Sequence, residues 1–199
     1  MTDLKYRADI AGGSLKVPES RIVADLLLRG VDDNEWRDAI DVQNALQKRS
    51  PATARRQASL IKARLTCMDS DLWELVRDGS HTVATHALFA AAVKHSCLLG
   101  DFVDLIVREQ FRLFRTELPR KLWSDYLALC RSRDPNLPEW KESTSNKLAD
   151  SVYRILAEVG ILKDSKSYKL QPVSIAPEVI AYLNRHNEQY VRRCLEASA

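Results

Sequence analysis

Apolar residues recur at helical spacing along most of this chain. Between Pro18 and Arg29, Ile22, Val23, Leu26 and Leu27 share one side of a helix, and Gly30 supplies the residue that ends it. Asp32 or Asp33 opens a second helix carrying Trp36, Ile40 and, further on, Leu46. Ser50-Pro51 starts a third: the serine side chain can accept from the first free backbone N–H groups, and proline lacks a donor where none is needed. That helix runs to about Leu65 and buries Ala54, Ala58, Ile61 and Leu65, spaced i, i+4, i+7 and i+11. Ser70 or Asp71 begins a short helix with Leu72, Trp73 and Leu75, ended by Gly79. The stretch Thr82–Leu99 is alanine-rich and apolar on most sides, which predicts the most enclosed helix. Gly100-Asp101 punctuates, with Asp101 capping a helix that bears Phe102, Leu105, Ile106, Phe111 and Phe114. Pro119 opens another through Leu122, Trp123, Tyr126 and Leu129. Residues 1–16 read as a polar lead-in ending at Gly12-Gly13-Ser14, and no internal repeat is present.

The pattern changes after Asp134-Pro-Asn-Leu-Pro138. Two prolines in so short a stretch predict a domain boundary there, dividing the chain into residues 1–135 and 136–199. Ser143-Thr144-Ser145 caps a helix with the stripe Leu148, Val152, Ile155, Leu156 and Val159, and Gly160 ends it. Ile161-Leu162-Lys163, a polar turn over 164–167 and Tyr168-Lys-Leu170 then read as a short β-hairpin, and Pro177 opens a last helix. Helix followed by hairpin is the order at the end of a winged helix-turn-helix, in which the helix enters the major groove and the hairpin flanks it. The fold class is therefore mainly α: an N-terminal helical bundle with a C-terminal winged-helix-like element.

Charge sharpens this picture. The net charge is only +3, with 29% charged residues, so affinity for a polyanion must be local. From Val42 to Met68 the chain has no acidic residue but carries Lys48, Arg49, Arg55, Arg56, Lys62 and Arg64. Arg55, Arg56, Ser59 and Lys62 fall within an arc of about 120° on the third helix, away from its apolar stripe. The competing explanation is a solvated face. Solvated helices, however, usually intersperse acids to gain i,i+4 pairs, and small residues here leave room for a phosphate backbone. Lys48, Arg49, Arg55, Arg56, Ser59 and Lys62 are thus candidates to bind DNA. In the second half the candidates are Ser143, Thr144, Lys147 and Arg154 on the helix and Lys166, flanked by Lys163 and Lys169, on the wing.

Catalytic and metal chemistry finds no footing. Cys67, Cys97, Cys130 and Cys194 are at least 30 residues apart and form no CxxC pair, and His81, His86, His95 and His186 fall in no metalloprotease or triad pattern. There is no phosphate-binding glycine loop and no nucleophile elbow. Asp101 and Asp104 read as cap and first-turn residues, and the histidines as solvent-facing or core-edge. No apolar run is long enough to span a membrane and the N-terminus has no secretory signal. These readings imply a cytoplasmic protein that is not an enzyme, holds no metal or cofactor and has no membrane partner.

Several residues together carry a resemblance: Glu19-Ser-Arg-Ile-Val-Ala-Asp-Leu-Leu-Leu, Trp36, Asn44-Ala-Leu-Gln-Lys-Arg-Ser-Pro-Ala-Thr-Ala-Arg-Arg, Ala63-Arg64-Leu65, Asp101-Phe102, Trp140, Lys147-Leu148, Leu156, Glu158 and Gly160-Ile-Leu. Over nearly its whole length the chain resembles the BrxA family, small components of BREX phage-resistance systems. The resemblance implies a NusB-like helical body, a winged-helix-like C-terminal part, binding to double-stranded DNA, and work beside the methyltransferase and ATPase of the same system. It implies no catalytic activity. A protein–protein adaptor whose basic face docks an acidic partner, and an RNA-binding protein of NusB-like type, are the rival readings.

Overall fold

The computed structural model describes residues 6–198. In chain order its helices are α1 (Val17–Leu28), α2 (Asp33–Arg37), α3 (Pro51–Leu65), α4 (Ser70–Asp78), α5 (His81–His95), α6 (Cys97–Phe102), α7 (Arg108–Arg112), α8 (Lys121–Arg133), α9 (Glu142–Val159), α10 (Pro177–Arg185) and α11 (Gln189–Leu195). A π-helical turn over Asp38–Val42 extends α2, and another over Val103–Val107 joins α6 to α7. The protein is mainly α, as the periodicity predicted. Among the described residues, extended pairing amounts to two isolated antiparallel bridges, Glu117 with Lys169 and Leu162 with Leu170. The segments expected to form a hairpin are therefore too short to count as strands. The helix opened by Pro177 is not the last: Asn187 turns the chain at φ +56° and α11 follows.

These elements form two compact units that interleave along the chain. The α3 unit comprises residues 15–95 and 176–187, and so holds α1 to α5 and α10. The α9 unit comprises 6–14, 96–175 and 188–198, and holds α6 to α9 and α11. The Pro135/Pro138 stretch lies inside the α9 unit, with α8 before it and α9 after it.

In the α3 unit every residue of α5 from Val83 to Val93 is buried. Its alanines let neighbours approach closely, and α1, α3, α4 and α10 all pack against it. Among them sits His86, which is buried rather than core-edge, its Nδ1 accepting the Ala176 amide at 3.0 Å. Asp32 caps α2 through the amides of Asn34 and Glu35, both at 2.8 Å, while Glu35 accepts the Asp32 amide in return. That helix stops short of Leu46. Asn44 and Gln47 take positive φ values, and the Asn44 side chain clasps both backbone groups of Lys48 at 2.9 Å. Leu46 is buried all the same, from a turn instead of a helix. The fourth helix begins at Ser70, as expected, and Asp69 caps it.

Gly79 ends α4 where side chains have no room. A Cβ there would sit 2.4 Å from the Leu75 carbonyl oxygen and 2.7 Å from Val83 Cγ1. Gly79→Ala should therefore destabilise the protein by about 1–3 kcal/mol, a loss that a denaturant titration would register. An unchanged midpoint would mean the α4–α5 turn can relax freely.

In the α9 unit, two expectations about the N-terminal half fail. The lead-in is not simply polar, because Tyr6 and Ile10 are fully buried, and the Tyr6 hydroxyl donates to Asp101 at 2.8 Å. Nor does Asp101 cap a helix. Ser96 does so, through the Leu99 amide, and Gly100-Asp101 lies within α6. Asp101 instead accepts from both Tyr6 and Tyr190, and Asp104, only 8% exposed, is gripped by Arg108 and by both ends of the Arg193 guanidinium. These acids hold distant segments together, which no local pattern encodes. An aromatic cluster fills the centre, with Phe102 5.2 Å edge-on from both Trp123 and Tyr126. All four cysteines are free thiols, and burial pushes Cys194 up to about 12, so it stays protonated as it donates to the Gly100 carbonyl.

Candidate nucleic-acid interface

The basic helix forms over the residues that the cap and stripe predicted. The Ser50 hydroxyl oxygen accepts the Thr53 amide at 3.3 Å, and Pro51 occupies the first turn. Ala54, Ala58, Ile61 and Leu65 are at most 2% exposed, which turns Arg55, Arg56 and Ser59 outward.

The run lacks acids only in sequence, because tertiary structure brings some to it. Lys48 is tied to Glu19 of α1 and is largely withdrawn from solvent. Burial by itself would raise the Glu19 carboxyl, but the Lys48 hydrogen bond and charge outweigh it and hold the group below its usual range. Arg55 meets Asp41 at 2.9 Å, although its side chain remains 63% exposed. Lys62 lies over the Trp36 ring, 4.3 Å from its centroid, and is half-buried. Arg64 points into the core at 3% exposure. Arg49 and Arg56 are exposed and have no acidic partner among the described residues. The six sequence cations thus reduce to three on the surface, Arg49, Arg55 and Arg56.

The Lys48–Glu19 pair has a pH signature. A carboxylate held below its usual 4.5 in the folded state stabilises that state above this pH, and loses the contribution as pH falls further. Glu19→Gln should lower the melting temperature at neutral pH and make the acid-side fall shallower. Parallel curves for wild type and variant would show that the pair adds nothing.

In the α9 unit, the helix begins at Glu142, so Ser143, Thr144 and Ser145 lie within its first turn rather than capping it. The amides of Thr144 and Ser145 both turn back to the Lys141 carbonyl. Lys147 is therefore in the second turn, beyond the free N–H groups of the helix start. Ser143, Lys147 and Arg154 are exposed, Thr144 is half-buried, and Gly160 at φ +92° ends the helix as expected. Next, residues 168–170 lie between two extended neighbours. On one side Lys163 donates to the Lys169 carbonyl and Gln171 to that of Ile161, both at 2.9 Å. On the other, Leu118 donates to Tyr168 at 2.8 Å and Leu170 to Thr116 at 2.9 Å. The intervening turn is closed by Asp164, whose carboxylate accepts the Lys166 and Ser167 amides and is held low by those bonds. Lys163, Lys166 and Lys169 are all exposed.

Sequence reasoning missed Arg120, Tyr153 and Tyr168. Arg120 reaches α9, bonding Asp150 at 2.7 Å and the Asn146 carbonyl at 2.9 Å. The Tyr153 hydroxyl donates to Pro119, and its ring stands edge-on to Tyr168 at 5.4 Å, pinning the turn region to α9. Nothing local marks these residues, since their partners are about 15 to 34 positions away. Tertiary structure also brings His95 Nδ1 to 3.7 Å from Cys67 Sγ. Among the described residues no group of three or more His, Cys, Asp or Glu is placed to hold a metal ion, and no helix is long and apolar enough to cross a membrane.

Comparison with known proteins places these surfaces in context. The BrxA family profile matches residues 4–187. A "BREX protein BrxA" from Paramagnetospirillum magneticum (strain ATCC 700264 / AMB-1) is 61% identical over 198 residues, spanning 100% of both chains. A protein of the same description from Escherichia coli O9:H4 (strain HS) is 33% identical, over 98% of this chain and 91% of the relative. A crystal structure of an uncharacterized protein from Magnetospirillum magneticum superposes with a TM-score of 0.92 at 59% identity, covering 98% of this chain and 100% of the other.

Proposed function

We propose that this chain, which belongs to the BrxA family and is a component of BREX phage-defence systems, serves there as a non-enzymatic binder of double-stranded DNA. The observation that carries the reading is the trio Arg49, Arg55 and Arg56. They stand exposed at the capped start of α3, two of them with no acidic partner among the described residues. Long cations on a helix face engage phosphates before bases, so this contact has little sequence preference.

A second contact belongs to the α9 unit. Its order of helix, extended 116–118, α8, α9, extended 161–163, turn and extended 168–170, with the last segment paired between the other two, supports a winged-helix reading. In that reading α9 presents Ser143, Thr144, Lys147 and Arg154, and the turn presents Lys166. The methyltransferase and ATPase of the same system are the protein partners that this function serves.

Salt dependence tests the proposal. The slope of log K against log salt should be at least as steep as about −2.7, from about 0.9 for each of the three α3 arginines, and steeper by that amount for each α9 cation engaged. A slope near zero on duplex DNA would refute phosphate binding. Run beside duplex RNA and single strands, the same titration exposes an RNA-binding protein as one that prefers RNA. It exposes an adaptor as one that binds no nucleic acid but captures other BREX components.

A further inference from the structure

The turn-side face of the α9 unit bears a half-open cavity of about 280 Å³ lined by Arg120, Asp150, Tyr153, Arg154, Ser165, Lys166 and Tyr168. Its charges do not cancel. Arg120 and Asp150 neutralise each other across 2.7 Å, and the nearby Asp164 has turned its carboxylate onto the backbone of its own loop. Arg154 and Lys166 remain, both exposed and neither with an acidic partner among the described residues. The walls are also fixed in place: Arg120 is anchored at two points on α9, and Tyr153 is held by Pro119 and by the Tyr168 ring. A cavity with two uncompensated cations, a serine hydroxyl and preset walls is complementary to a compact oxyanion. Its volume lies just below the range of ordinary ligand pockets, which suits a phosphate group, with at most its sugar, better than a nucleobase and its ribose together.

We infer that this cavity is a phosphate-binding pocket, with Arg154 and Lys166 as the charged ligands, Ser165 as a hydroxyl donor and Arg120 as a positioning residue. For its biological source the inference rests on the wing reading above; for phosphate itself it does not. A terminal phosphomonoester carries a charge near −2 and matches both cations. A backbone phosphodiester carries one charge and would leave the second cation for the next phosphate along the strand.

The test uses the full-length protein and inorganic phosphate, with ionic strength held constant by chloride. Amide resonances of Arg154, Ser165 and Lys166 should shift saturably, and Arg154→Ala with Lys166→Ala should weaken that binding at least about tenfold, since charged hydrogen bonds are lost. Lys121→Ala, an exposed charge outside the lining, should leave it unchanged. Shifts reproduced by chloride alone, or a double variant that binds phosphate like wild type, would overturn the pocket. Three duplexes then identify the source: one 5′-phosphorylated, the same one with 5′-hydroxyl ends, and a closed circle. A penalty for the double variant on the phosphorylated ends alone assigns the terminal monoester, and an equal penalty on all three assigns the backbone. Phosphate binding with no penalty on any duplex supports the pocket and removes it from the DNA interface, so the two readings fail separately.

Discussion

Ile61→Asp should abolish the cooperative unfolding transition of the α3 unit. Ile61 is 1% exposed and stands in the stripe that packs α3 onto α5. An aspartate there buries a carboxylate with no designed partner, a cost of at least several kcal/mol even after relaxation and protonation. Against a total stability of about 5–15 kcal/mol for a folded domain, that is most of the margin. Ile61→Val at the same site should cost only about 0.5–1.5 kcal/mol. Circular dichroism melts of the two variants check this. If Ile61→Asp melts within a few degrees of wild type, the stripe is not the core contact described here.

Arg49→Glu with Arg56→Glu should weaken duplex DNA binding by roughly 1000-fold while leaving the melting temperature nearly unchanged. Each reversal alters the local charge by two, and a unit charge about 4 Å from a phosphate is worth about 1 kcal/mol in water, so the four units amount to about 4 kcal/mol. Both arginines are exposed, neither belongs to the buried stripe, and neither pairs with an acid among the described residues, which is why stability should hold. Lys48→Ala is the informative contrast. That lysine is committed to Glu19 and mostly withdrawn from solvent, so removing it should affect stability more than binding. Salt-titrated gel shifts at matched protein concentration read both. Equal binding by wild type and the double reversal would reduce the α3 face to solvated surface.

How far the protein was legible from its residues depends on the range of the interaction involved. Local chemistry was enough for α3: Ser50-Pro51 marks its start, and the spacing of Ala54, Ala58, Ile61 and Leu65 marks its buried side, because capping and helical periodicity act within a few positions. The alanine-rich enclosure of α5, the end of α1 near Gly30 and the end of α9 at Gly160 were legible for the same reason.

Charge was legible only in part. The sequence places six cations between Asp41 and Asp69, but whether each is available depends on groups that the chain brings in from elsewhere. Glu19 takes Lys48, Asp41 takes part of Arg55, Trp36 covers Lys62, and the core takes Arg64. Asp101 and Asp104 show the same limit in reverse, since acids that resemble helix-start residues serve as ties to Tyr6, Tyr190, Arg108 and Arg193. The sequence by itself determined most of the helical segments, the Asp32 and Ser50 caps, and the buried stripes of α3 and α9, because those are short-range properties of the backbone and its neighbouring side chains. Only the tertiary structure decided which charges stay free, where the turn-side cavity lies, and how the two units interleave, because Coulombic pairing and packing join residues that sequence separation keeps apart.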